Sequence, residues 1–170
     1  MGIEIERKYL IRKPDMTMLD ELATETWEVT QVYLLTETLC TERVRRVREE
    51  SGTRYFHTLK RRLSALSCVE NEEEITAEAY ESYLLRRDPE RRAVEKTRWR
   101  IPYEAHLLEI DVYPFWQDRA ILEIELEDEN EPAAIPSYTA VIREVTDDPS
   151  YRNHGIAKAI AEQATDRLLL

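Results

Sequence analysis

Glu4, Glu6 and Lys8 stand at strictly alternating positions between Ile3, Ile5 and Tyr9. In a β-strand successive side chains point to opposite faces, so two carboxylates and an ammonium share one side and apolar residues the other. Two neighbouring carboxylates suit a hard divalent cation, and a lysine beside them suits a phosphate oxygen. The pattern returns farther along the chain. Arg43 shares a face with Arg45, Thr58 with Lys60, and Lys96 with Arg98 and Arg100. Acidic pairs recur at the same spacing as Glu72 and Glu74, Glu109 and Asp111, and Glu123 and Glu125. Cations therefore gather on three segments and acids on four others. A merely solvated sheet face does not require that segregation.

Alternation predicts the strands that position these groups, over residues 4–11, 30–36, 40–50, 54–61, 69–75, 92–102, 106–113 and 120–126. Ser51-Gly52 reads as a hairpin turn. Helices are expected over 15–24, 77–86 and 156–168, with Asp15 and Thr76 as caps, and a short helical turn near 131–135. About eight strands with few helices imply an α+β domain built on a closed or nearly closed antiparallel β-barrel. One domain spans residues 1–170. Amphipathic helices need apolar surface to cover, and the outside of the barrel can supply it. The charged faces then line a water-filled tunnel, where opposite charges or ligands must compensate one another.

Composition narrows the chemistry. With three glycines in 170 residues, neither a Walker loop nor a Gly-rich dinucleotide fingerprint can form, so side chains must hold any phosphate. A net charge of −11 argues against a stable nucleic-acid complex, although a local cationic cluster can still oppose it. No apolar run approaches the ~20 residues that cross a bilayer. Cys40 and Cys68 lack zinc-like or redox-like spacing and suit a reducing cytoplasm. His57, His106 and His154 show no metal-ligand pairing. A soluble cytoplasmic protein without membrane contact is expected, and a homodimer is compatible with the sequence.

The ordered series resembles the CYTH family, also called triphosphate tunnel metalloenzymes. Glu4-Ile5-Glu6-Arg7-Lys8 matches the family's Glu-X-Glu-X-Lys signature. The likeness continues through Arg43-Val44-Arg45, Thr58-Leu59-Lys60, Glu72-Glu73-Glu74, Lys96-Thr97-Arg98-Trp99, Glu109-Ile110-Asp111 and Glu123-Ile124-Glu125, nearly the whole chain. The resemblance implies an eight-stranded triphosphate tunnel with helices outside, acting on a small triphosphate with Mg²⁺ or Mn²⁺. It implies metal ligation by Glu4, Glu6, Glu123 and Glu125, and phosphate binding by Lys8, Arg43, Arg45, Lys60, Lys96 and Arg98. Glu6, Glu125 and Lys8 form the implied catalytic group, while Glu72, Glu74 and Asp111 match further acidic tunnel positions.

Hydrolysis of inorganic tripolyphosphate is the leading expectation. A class IV adenylate cyclase, a thiamine triphosphatase and a non-catalytic polyphosphate or nucleotide sensor remain alternatives. The chain departs from the family in residues 61–70, which contain no glycine, and Glu70 stands where relatives often carry arginine. Substrate specificity is the property this departure bears on.

Overall fold

The computed structural model describes residues 2–163. Strands β1 (Gly2–Arg12), β2 (Glu25–Tyr33), β3 (Thr41–Glu49), β4 (Gly52–Arg62), β5 (Ser67–Ile75), β6 (Val94–Tyr103), β7 (His106–Val112), β8 (Arg119–Glu125) and β9 (Val141–Glu144) form one sheet. Its order is β5-β4-β3-β2-β6-β7-β8-β1-β9, and antiparallel pairing of β5 with β1 closes the first eight strands into a barrel. Helices α1 (Met16–Leu22), α2 (Ala77–Leu84) and α3 (Asn153–Ala161) lie outside, with a 3₁₀ turn at Pro149–Tyr151 before α3. Among the described residues no helix is long and apolar enough to cross a membrane.

The barrel is inverted relative to an ordinary small one, in which apolar side chains fill the lumen. Its apolar residues form three buried clusters, each beneath one helix. Trp99, Ile101, Leu108, Ile110, Leu122 and Ile124 pack with Leu19 of α1. Leu34 and Val44 pack with Tyr80 of α2. Leu10, Val94, Tyr113 and Ile121 pack with Ile156 and Ala157 of α3. Leu10, Val94 and Ile121, with Tyr113 just after β7, continue the inward parity of Lys8, Lys96, Glu123 and Asp111, so the charged interior gives way to an apolar layer where α3 docks.

Asp15 and Thr76 cap α1 and α2 as expected, accepting hydrogen bonds from the Thr17 and Ala79 amides. Other elements differ from the sequence reading. The β3–β4 hairpin turns on Glu50 and Ser51, because Glu49 pairs with Gly52, and Gly52 opens β4 with φ of 136°, a conformation that favours glycine. β2 begins five residues early, which brings Trp27 onto the barrel wall. The short segment β9 adds a ninth strand beside β1. No helical turn forms at 131–135. The expected last helix starts earlier, at Asn153, and the predicted positions beyond 163 lie outside the described residues.

Gly155 lets α3 approach the turn before it. A Cβ there would lie 2.4 Å from the Pro149 carbonyl oxygen and 3.0 Å from Ser150 Cα, both backbone atoms that cannot rotate away. Gly155→Ala is therefore expected to destabilise the fold by about 1–3 kcal/mol, as overpacking does. Thermal unfolding should show a drop of several degrees, whereas Gly2→Ala, with open space around it, should leave the midpoint in place.

Candidate active site

Lys96 and Arg98 come from β6, Asp111 and Glu109 from β7, Glu123 from β8 and Lys8 from β1. All six are buried. Burying charge is tolerable only when partners and hydrogen bonds compensate it. Arg98 supplies most of that compensation: its Nε and Nη2 donate to both Asp111 oxygens at 2.6 and 2.7 Å, Nη2 also to Glu123 at 2.7 Å, and Nη1 to Glu109. Lys8 Nζ meets Glu123 Oε1 at 2.8 Å, and Lys96 donates to Asp111. Burial would raise the Glu123 and Asp111 carboxyls, but for Glu123 Lys8 and Arg98, and for Asp111 Arg98 and Lys96, outweigh it and hold both low. Burial and then the neighbouring Arg98 charge push Lys96 down to about 8.

Lys8, Lys96, Arg98, Glu109 and Glu123 face a cavity of about 660 Å³ whose walls also carry Glu4, Glu6, Glu125, Arg43, Arg45 and Lys60. Arg43 donates to Gln31 Oε1 at 3.3 Å and makes no ion pair among the described residues. Arg45 binds both Glu72 oxygens through Nη2 at 2.9 and 2.8 Å, and Thr58 donates to the same carboxylate at 2.7 Å. The Nε atoms of Arg43 and Arg45 are buried without a hydrogen-bond partner. A buried donor left unpaired is costly, and an anion in the cavity would relieve it.

The four glutamates that the family pattern assigns to metal fall into two sorts. Glu4 and Glu123 are already neutralised. Lys60 Nζ lies 2.6 Å from Glu4 Oε2, and against the upward push of burial it lowers that carboxyl to about 2. Glu6 and Glu125 are direct cross-strand partners, an arrangement of like charges that is unfavourable in itself. Burial and the Glu123 charge raise Glu6, while partial burial and Glu109 push Glu125 up to about 7. An oxygen-only pair with excess negative charge fits a hard divalent cation such as Mg²⁺ or Mn²⁺.

The remaining sequence-derived positions lie at different depths. Asp111 sits beneath Lys96 and Arg98 with no exposed surface, as a support for those cations. Glu74 shares the parity of Glu72 but lies at the exposed rim, paired with Arg54 at 2.7 Å. Several wall residues were not singled out from sequence. Trp27 carries the Arg100 guanidinium 4.5 Å above its ring, and Arg62, Arg152 and His154 also line the cavity. Arg152 and His154 belong to the α3 region, whose return to the tunnel leaves no local sequence signal. The Gly-less stretch turns through Ser64, whose hydroxyl accepts from the Leu66 and Ser67 amides. His57 lies outside the barrel, against Glu42 at 2.9 Å and stacked on Tyr83 of α2.

No family model matches the chain, and no curated protein does. Among solved structures, the inorganic triphosphatase NE1496 is 28% identical over 93% of this chain and 96% of that one, with a TM-score of 0.56. PH1819 from Pyrococcus horikoshii OT3 shares the fold at 20% identity, over 75% of this chain and 80% of its own, with a TM-score of 0.58. HpAC1 from Hippeastrum, an adenylyl-cyclase-like protein with a dominant triphosphatase activity, shares it at 15% identity over 73% and 80%, with a TM-score of 0.53. With its Glu-X-Glu-X-Lys first strand, closed antiparallel barrel and charged interior, the chain shares the fold of these structures and is similar to the CYTH, or triphosphate tunnel metalloenzyme, proteins.

Proposed function

We propose that this chain is a divalent-metal-dependent triphosphatase that removes the terminal phosphate of inorganic tripolyphosphate. The observation that carries the reading is a pair of buried arginine donors without partners on β3, lining the same cavity as an under-compensated glutamate pair from β1 and β8. Likeness to an inorganic triphosphatase over nearly the full length of both chains supports it.

The residues divide the work by charge. Arg43 and Arg45 offer forked donors to non-bridging phosphate oxygens. Lys96, held in place by Asp111, adds a point charge from β6. Lys8 lies 3.6 Å from Glu6 and can follow charge that develops near that carboxylate. Glu6 and Glu125 would hold the divalent ion, which when bound supplies Lewis-acid neutralisation of the reacting phosphoryl group. Glu6, with its raised proton affinity, is placed to accept the proton of an attacking water. No covalent intermediate is needed, because positioning and charge stabilisation suffice for phosphoryl transfer.

Product analysis with tripolyphosphate, ATP and thiamine triphosphate, each with Mg²⁺ and Mn²⁺, tests the proposal. Phosphate release should be fastest from tripolyphosphate. It should fall at least about 100-fold in Glu6→Gln and in Glu125→Gln, as for loss of a proton acceptor or cation ligand. Cyclic AMP with pyrophosphate would instead assign a cyclase, faster turnover of thiamine triphosphate would change the substrate, and binding without turnover would assign a sensor.

The pH profile gives an independent check. Glu125 must lose its proton to hold a cation, so kcat/KM should rise through about pH 7. Lys96 must keep its proton to bind phosphate, so kcat/KM should fall above about pH 8. Lys96→Arg should move the alkaline limb upward, because a guanidinium stays charged throughout the range. An alkaline limb that stays near 8 in this variant would assign it to another group.

A further inference from the structure

Lys60 differs from the other cations of the cavity wall in how it is held. It pairs directly across the β4–β5 ladder with Glu70, while Glu4 approaches from β1 through its pairing with Cys68. Lys60 Nζ lies 2.6 Å from Glu70 Oε2 and 2.6 Å from Glu4 Oε2, and Cys68 Sγ donates to that same Glu4 oxygen at 3.3 Å. One ammonium is thus shared by two carboxylates, with the Arg43 guanidinium close enough to act on both. Arg45, by contrast, has one carboxylate, and Arg43 makes no ion pair among the described residues. Of these three cations Lys60 is the most heavily compensated.

Each phosphate added to a linear polyphosphate brings further negative charge. A phosphate that reaches Lys60 must displace a carboxylate or sit beside one, and either is opposed by Coulomb repulsion that the partly water-excluded tunnel screens poorly. Glu4 is claimed by the first strand's acidic pattern, so Glu70 is the carboxylate whose removal would return Lys60 to a neutral pair. We infer that Glu70 is a specificity-determining residue: by holding Lys60 together with Glu4, it keeps that ammonium from a further phosphate and limits the length of polyphosphate the site accepts. The inference rests on the triphosphatase reading and adds a length limit to it.

Tripolyphosphate and tetrapolyphosphate would be compared in the wild type, Glu70→Gln, Glu70→Thr and Glu70→Asp. Turnover is read with Mg²⁺, and binding by calorimetry without added metal. Threonine is included because it is neutral and well suited to a strand, should glutamine perturb β5. The ratio of tetrapolyphosphate to tripolyphosphate KM, and the matching Kd ratio, should fall about tenfold in both neutral variants, as for loss of one nearby repelling charge. Both ratios should stay at the wild-type value in Glu70→Asp, which keeps the charge. Unchanged ratios in the neutral variants, or an equal fall in the aspartate variant, would overturn the assignment. A wild type that neither binds nor cleaves either anion would bring down the triphosphatase reading with it. An active wild type with unmoved ratios would bring down the role of Glu70 alone.

Discussion

Everything inside this barrel depends on the neutralisation of charges that water no longer solvates. Arg98 is the centre of that balance, because one guanidinium reaches carboxylates on both β7 and β8. Lys8 extends the network to β1 through Glu123. Such a network adds little net stability compared with an apolar core, but breaking one partner leaves a buried charge uncompensated. Compensation is nearly complete around Arg98 and incomplete at Glu6, Glu125, Arg43 and Arg45. Compensated and under-compensated charges are therefore separated around a single cavity.

The same constraint explains the placing of the helices. With the lumen given to charge, the sheet's apolar face turns outward and must be covered. Three short amphipathic helices each lie over their own cluster. The α1 and α2 clusters lie on the barrel's exterior, whereas the α3 cluster packs on inward-facing strand residues and adjoins the charged tunnel.

Alternation made much of this legible. The Glu4-Glu6-Lys8 row, the Arg43-Arg45 pair and the Lys96-Arg98 pair announce strands with one charged face, and their segregation by sign points to a lumen. β9 escaped notice because Val141-Ile142-Arg143-Glu144 is short and does not alternate. Parity placed Glu74 with Glu72, but parity carries no information about depth, and the rim falls between them. The Lys60–Glu4 contact was invisible for a different reason. It joins β4 to β1 across β5, so it exists only once the barrel has closed with a particular stagger. Local pattern names the groups that face inward; pairing register decides which of them meet.

β1 finds no partner close to it in sequence. It pairs with β5, with β9 and, through Glu6 and Lys8, with β8, on the order of a hundred residues later. Loop-closure entropy must be overcome before such contacts can form. Contacts of such sequence separation are expected to form late in folding. Glu6 and Glu125, far apart in the chain, become neighbours only when β1 pairs with β8.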